Sequence, residues 1–390
     1  MPTRLEVIRR RGGLPLTQRR PREGTLTLGF LGGSITESPR TGQNWPEPVI
    51  AWFAGRFPAV RLRVENAAIG ATGSDLAAFR AHRDILDRGC DLVFVEYAVN
   101  DNDEPSDRRR RSREGLIRQL LADQGRDVVL VYTYCQEMYQ DMMAGRVPSS
   151  VAEFEELAIH YDLPSVWVGL HALREVMAGR LRWEEWLPDG LHPQSRGSLC
   201  YAESAIALLE RELDGGQGQG AITTGRRGGA ARAMDERQPA LLPAPLPAPL
   251  PAPLDAANWG RVSRVPFDAV RLDGPWSVRR WAGLVGVDEV LATAAIGARL
   301  AFDFEGRGLA LGFDFGRASS EFRYRLDEGP WVDIVRDRPA WCGDGGWFRL
   351  SVLADGLAPG AHTCALEVTH GNRPDCTGAN FHLALIGVLR

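Results

Sequence analysis

The chain has 390 residues, 44% hydrophobic and 25% charged, which is material for two domains with sizeable cores and excludes a disordered polypeptide. Its net charge of -4 gives no general attraction to nucleic acid or to an anionic membrane surface. No apolar run approaches the roughly 20 residues that cross a bilayer.

Residues 1–24 form a basic N-terminal extension, rich in arginine and without the apolar stretch of a secretion signal. Arg9-Arg10 is followed by polar and glycine residues, not by the apolar segment of a twin-arginine leader, so the chain reads as cytoplasmic. Thr25 to Leu31 is a short apolar strand that ends on Gly32-Gly33, a pair that lets the backbone turn sharply and present Ser34. A helix with an apolar face of Val49, Ile50, Trp52, Phe53 and Phe57 follows, with Pro46 and Pro48 in its first turn. Val60, Leu62 and Val64 mark a strand that ends at Asn66. The turn Ile69 to Ser74 leads into a helix capped by Ser74 and reaching about Arg88.

Asp91 to Val99 is nearly all apolar, as in a strand buried on both faces, and it ends on Asn100-Asp101. A helix capped by Ser112 runs to Gly125, and Asp127 to Thr133 is another buried strand. A helix over 150–160, a strand over 165–169 and a helix over 195–213 complete the alternation. This pattern predicts an α/β domain with a parallel sheet covered by helices on both faces.

From Asp214 to about residue 257 the composition turns to glycine and then to a Pro-Ala-Pro-Leu repeat, which reads as an interdomain linker with an extended polyproline II part. Beyond it the period is two. Strand-like segments start at Leu300, Leu309, Glu321, Trp347, His362 and Phe381, divided by Asp-Glu-Gly-Pro and Ala-Pro-Gly turns. Residues 258–390 therefore read as an all-β sandwich of jelly-roll type.

The six cysteines form neither a CxxC pair nor a Cys/His set with zinc spacing, so no metal site and no cofactor is expected. Cys342, Cys364 and Cys376 leave room for one disulfide, although buried thiols fit a reducing compartment better. The basic run Arg108 to Arg111 with Arg113 reads as a solvated charge run rather than an anion site. Trp183 and Trp186 can wall a pocket or simply pack. Trp331, Trp341 and Trp347 fit a sandwich core better than a sugar platform.

Four signals carry chemistry. Ser34 lies at the carboxyl end of the first strand, where open α/β sheets bind ligands. Asp189 and His192 are three apart, a spacing that lets a carboxylate orient an imidazole. Asn100 ends a buried strand and carries an amide donor, and Gly70 has an unhindered backbone N–H. Alone, each also fits an ordinary turn.

In this order, Gly33-Ser34, Gly70, Asn100-Asp101 and Asp189-Gly190-Leu191-His192 resemble the four blocks of the SGNH (GDSL-type) hydrolase superfamily. The resemblance covers about Thr25 to Leu213. It implies a flavodoxin-like three-layer α/β/α domain over 25–213 with no metal or cofactor. It further implies Ser34 as nucleophile, His192 as general base, and Asp189 as its orienting carboxylate. The oxyanion hole would consist of the Ser34 and Gly70 N–H groups and the Asn100 side chain. Gly33 replaces the aspartate usual in the first block, as in a GGSIT subgroup among carbohydrate-esterase-like proteins, and Ala98-Val99 replace the glycine usual before the asparagine. An α/β-hydrolase is disfavoured, because its nucleophile elbow needs glycine where Thr36 stands.

The implied activity is hydrolysis of short-chain acyl esters, O-acetyl first, on a carbohydrate. The alternatives are an O-acyltransferase with a sugar hydroxyl as acceptor, and a non-catalytic glycan-binding protein with a vestigial SGNH domain.

Overall fold

The computed structural model describes residues 5–19, 24–37, 44–214, 249–282, 286–334, 338–339, 341–371 and 376–390. Most of the expected linker, including its Gly-rich part, lies outside them.

The first sheet consists of β1 (Ile8–Arg9), β2 (Thr25–Gly32), β3 (Arg61–Asn66), β4 (Leu92–Glu96), β5 (Asp127–Val131) and β6 (Ser165–Val166). Their order is β1-β6-β5-β4-β2-β3, and every pair is parallel except the antiparallel edge β1–β6. Between the strands run α1 (Pro15–Arg19), α2 (Pro46–Arg56), α3 (Ser74–Ala81), α4 (Ser106–Leu121), α5 (Tyr139–Met143) and α6 (Ser149–His160). After β6 come α7 (Val168–Met177), α8 (Trp183–Trp186) and α9 (Ser195–Asp214). Helices α3, α4 and α6 pack together as one layer, and α2, α7 and α9 as the other. Strands β4 and β5 are buried at every position because both faces are covered. Without its edge strand, the order is that of the flavodoxin-like α/β fold, and the direction of winding reverses between β2 and β4.

Several expectations are corrected. Residues 8–19 of the basic extension join the α/β unit. Arg9 and Arg11 pair with Glu155, and the Thr17 N–H donates to Asp127. The strand expected over 165–169 stops at Val166, because α7 starts at Val168. Ser74 is not a cap: Gly73 precedes α3, and the Ser74 N–H donates to Asp101 Oδ1 at 2.9 Å. Helix α4 begins at Ser106, so Ser112 lies inside it and meets Ser74 Oγ at 2.7 Å.

The arginine run is consequently split by helical geometry. Arg113 is fully buried: it donates to Asp101 at 2.7 Å and to the Ser150 carbonyl at 2.7 Å, and it lies 4.5 Å over the Phe154 ring. Arg109 is also buried, against Glu153 at 2.6 Å. A seemingly solvated run thus supplies two internal cations, each satisfied by an anion and by further acceptors.

The second sheet holds β7 (Val262–Arg264), β8 (Arg271–Asp273), β9 (Ser277–Arg280), β10 (Glu289–Thr293) and β11 (Arg299–Phe315). It continues with β12 (Glu321–Leu326), β13 (Val332–Ile334), β14 (Trp347–Thr369) and β15 (Phe381–Leu389). All its strand pairs are antiparallel, in the order β13-β12-β14-β11-β15-β10-β9, with β7 on β15 and β8 on β11. The strands expected at Leu300 and Leu309 are one strand, β11, with a register shift between Gly306 and Gly308. The expected Ala-Pro-Gly turn is the facing irregularity in β14, where Asp355 and Gly360 pair with Gly308 and Gly306. No disulfide joins any of the six cysteines, which are all buried. Of the tryptophans expected in the core, Trp347 packs against it, half-buried, while Trp341 and Trp331 are peripheral. Trp341 is 63% exposed and meets Trp347 edge-on at 5.1 Å, while Trp331 lies under Arg323 and Arg325.

Alternation along β11 divides its two faces. Leu309, Leu311, Phe313 and Phe315 fill the β-domain core, whereas Ala310 faces a second cluster with Leu76 and Phe79 of α3, Trp259 and Leu385. Trp259 is the wedge of this junction. It is fully buried, its N–H donates to the Arg111 carbonyl at 3.0 Å, and its indole N–H donates to Asp355 at 3.3 Å. A side chain on Gly115 of α4 would overlap the Trp259 backbone, so glycine is required by close approach. Asp355 also accepts from Arg307 at 2.5 Å and from Arg111 at 3.4 Å. Trp259→Ala is expected to destabilise the protein by about 3–5 kcal/mol, the usual cost of emptying an aromatic core position. Urea unfolding with separate tryptophan and circular-dichroism readouts would show it.

Candidate active site

The turn after β2 is built by backbone hydrogen bonds. The N–H groups of Thr36 and Glu37 both return to the Gly33 carbonyl, at 3.0 and 2.9 Å, closing a single helical turn around Ser34. Such a turn directs the N–H groups of its first residues outward, as at any helix N-terminus. Below it, Glu96 at the end of β4 is fully buried and accepts from Thr36 Oγ1 at 2.9 Å, Thr133 Oγ1 at 2.6 Å and the Gly33 N–H. Trp45 donates to the same Thr36 oxygen at 3.0 Å. Burial pushes the Glu96 carboxyl up to about 7, against the pull of these three donors.

The loop after β3 is zipped to that turn. Ala67 N–H donates to Phe30 and Ile69 N–H to Gly32, while the Asn66 amide donates to the Thr36 carbonyl at 3.0 Å. Gly70 is thereby set beside Ser34: a Cβ placed on it would lie 3.6 Å from Ser34 Cβ. Ala71 follows with φ at 58°, a left-handed conformation uncommon outside glycine.

Asn100 comes from the loop after β4, across the point where the winding reverses. Its amide sits directly over Gly33, where any side chain would overlap it. This explains the departure noted in the sequence: the aspartate usual at position 33 and this placement of Asn100 cannot coexist here. The loop is held from beneath by Asp101, which is buried on Arg113 and the Ser74 N–H.

His192 and Asp189 arrive on the loop ahead of α9. His192 Nε2 is 2.8 Å from Ser34 Oγ, and His192 Nδ1 is 2.7 Å from Asp189 Oδ2. The other Asp189 oxygen accepts the Leu191 and His192 N–H groups, at 2.9 and 2.7 Å, so the loop locks its own carboxylate. Partial burial works upward on Asp189, but the hydrogen bonds from His192 and Leu191 outweigh it and hold the carboxyl below its usual range. The dyad is open: the His192 and Asp189 side chains remain 44% and 54% exposed. All five residues singled out in the sequence thus converge at the carboxyl ends of β2, β3 and β4.

The sequence reading missed Glu96, Thr36 and Glu37. The first looked like one more residue of a buried strand, and only pairing across the sheet reveals what it holds. Trp186 is core, 4.7 Å from Tyr134, and Trp183 stacks on it at 5.1 Å. Among the described residues, His171, Cys200 and Glu203 bring potential metal donors within 4.8 Å of one another, away from the site between α7 and α9. Burial keeps the Cys200 thiol up at about 12, and Arg174 and Arg211 line the adjoining cleft, so this trio is poorly poised for a cation.

Residues 30–198 match the model of the GDSL-like lipase/acylhydrolase family. That match spans most of the α/β domain. Both domains of this GDSL-like chain align with a two-domain esterase (CEX) active on acetylated mannans, solved with mannopentaose. The match has 21% identity and a TM-score of 0.76, covering 98% of this chain and 96% of that one. A second structure of a two-domain esterase (CEX) active on acetylated mannans gives 0.74 at 21% identity, over 96% and 97% of the two chains. At this identity the likeness is one of fold. Among proteins of curated function, none matches the chain.

Glu96→Gln tests the buried carboxylate. A folded-state value near 7 lies above the roughly 4.3 of an unfolded glutamate. Wild-type stability therefore falls as pH rises from about 4.3 to about 7, where the unfolded chain binds fewer protons. The melting temperature of Glu96→Gln relative to wild type should rise across that window and level off above it.

Proposed function

We propose that the protein is a serine esterase that removes short-chain acyl groups, O-acetyl above all, from a carbohydrate. The observation that carries this reading is the continuous relay Ser34 Oγ, His192, Asp189, at 2.8 and 2.7 Å. Ser34 attacks the ester carbonyl while His192 Nε2 takes its proton. Asp189, held ionised by its hydrogen bonds, stabilises the imidazolium and fixes its orientation. The tetrahedral oxyanion is met by the Ser34 and Gly70 N–H groups and the Asn100 amide. Collapse expels the sugar oxygen, which takes the proton from His192. Water then repeats the sequence on the acyl-enzyme and releases the carboxylic acid.

Two observations support a carbohydrate ester. The catalytic dyad is exposed enough to meet a bulky leaving group, and the two-domain architecture is shared with an esterase active on acetylated mannans. In this reading residues 25–213 carry the chemistry, 214–257 link, and 258–390 form an accessory β-domain. The buried thiols, none in a disulfide, support a cytoplasmic setting. No helix among the described residues is long and apolar enough to cross a membrane.

The test is acetate release from acetylated mannan, with p-nitrophenyl acetate, butyrate and octanoate as simple esters. Ser34→Ala should abolish turnover, and Asn100→Ala should lower kcat by about 10²–10³. Activity should fall from acetate to octanoate. Equal rates in wild type and Ser34→Ala would exclude the mechanism, and acetate transfer to added sugar in preference to water would mark an acyltransferase.

A further inference from the structure

Between the two domains lies a cleft of about 600 Å³ whose walls carry four arginines: Arg80 and Arg83 from α3 and the turn after it, Arg264 and Arg280 from the β-domain. The first two are committed within the protein. Arg80 is buried, pairs with Asp84 at 2.9 Å and donates to the Ala67 carbonyl and the Tyr97 hydroxyl. Arg83 bridges Asp84 at 2.5 Å and Asp288 at 2.8 Å, and it donates to the Gly286 carbonyl at 2.9 Å. The other two are not neutralised. Arg264 directs Nε and Nη2 to a single acceptor, the Phe79 carbonyl, at 3.2 and 2.8 Å, and pairs with no carboxylate among the described residues. Arg280 has no hydrogen bond or ion pair among the described residues, although its register partner Glu289 also lines the cleft.

Three carboxylates, Asp84, Asp288 and Glu289, thus stand against four guanidinium groups, and the surplus donors belong to Arg264 and Arg280. A guanidinium fork matches a carboxylate with two parallel hydrogen bonds, and phosphate shares that chemistry. The remaining walls are apolar: Phe267 is half-buried, and Phe348 and Leu76 are buried. A few charged groups set in apolar walls are the composition of a small-molecule site. Ile69, the residue before Gly70, also lines the cleft, and a Cβ on Gly286 would lie 2.5 Å from its Cδ1. The cleft therefore lies beside the loop that carries Gly70.

We propose that this interdomain cleft is a subsite for an acidic sugar: Arg264 and Arg280 take the carboxylate of a uronate unit, and Phe267 receives its ring. The ester cleaved at Ser34 is then carried by a glycan that contains uronate. That last step rests on the reading of Ser34 as the nucleophile of a carbohydrate esterase, whereas the binding itself does not.

The experiment titrates the full-length Ser34→Ala protein by calorimetry with trigalacturonate, with mannotriose and with inorganic phosphate. Arg280→Ala and Arg264→Met are added singly to the same background, and melting curves establish that each variant is folded. Arg280 holds no other described group, so its removal keeps the test open even where Arg264→Met loosens the junction. Trigalacturonate should bind at least roughly ten-fold more tightly than mannotriose, the scale of one charged hydrogen bond, and each arginine variant should erase that difference. No binding of trigalacturonate, equal binding of both sugars, or a preference indifferent to both arginines would overturn the proposal. Phosphate bound as tightly as trigalacturonate would mark a plain anion site and overturn the assignment to a sugar. With Ser34 restored, kcat/KM should be higher for an acetylated oligogalacturonate than for an acetylated manno-oligosaccharide, and Arg280→Ala should remove that preference. Absence of Ser34-dependent hydrolysis on every ester would instead overturn the esterase reading and leave the binding result standing.

Discussion

The geometry of the site depends on a carboxylate that has no access to water. Glu96 ends the central strand β4 and gathers the Gly33 N–H and the hydroxyls of Thr36 and Thr133 onto one group. These donors come from the turn carrying Ser34 and from the segment after β5, so one buried group ties three strand ends together. Burying it is costly, as its raised proton affinity records, and the hydrogen bonds offset only part of that cost. A neutral apolar core at this point would be simpler to fold, but it would leave the glycine turn without a fixed floor. A triad needs its nucleophile held to a fraction of an ångström.

A second buried network reaches from the site to the other domain. Asp101, next to Asn100, is fixed by Arg113 of α4. Two residues earlier on the same helix, Arg111 pairs with Asp255 and Asp355, and Gly115 lies against Trp259. The helix that steadies the Asn100 loop from one side is thus the helix on which the β-domain docks. Further tethers run from Arg264 to the Phe79 carbonyl and from Arg83 to Asp288. The junction is made of charge-assisted hydrogen bonds around a buried aromatic wedge, which favours one docked arrangement over a loose pair of domains.

The residues of the site were legible in the sequence because they sit at or after strand ends or in one short local motif. Ser34 and Asn100 follow runs too hydrophobic to be anything but buried strands, and the local DGLH spacing needs no long-range information. The arginines at 109 and 113 were misread because composition cannot distinguish a solvated helix face from a helix whose charges meet partners on another element. Their anions, Glu153 and Asp101, lie 44 and 12 positions away in the chain. Glu96 was hidden for a similar reason. In a strand buried on both faces, one polar residue looks like noise until the neighbouring strand ends show what it binds. The long strand β11 was read as two, since Glu305 to Gly308 carries the signature of a turn and instead bends a continuous ladder.

The glycines at the site are explained by space rather than by flexibility. Gly33 lacks a side chain because the Asn100 amide occupies that volume, whereas a Cβ on Gly70 would press only on the end of the Glu37 side chain. In both cases the group that an added Cβ would meet is a polar side chain. The turn is therefore closed by side chains reaching across from other strand ends and from its own last residue. The His192–Asp189 pair is open to solvent, and Ser34, Gly70 and Asn100 are half-buried.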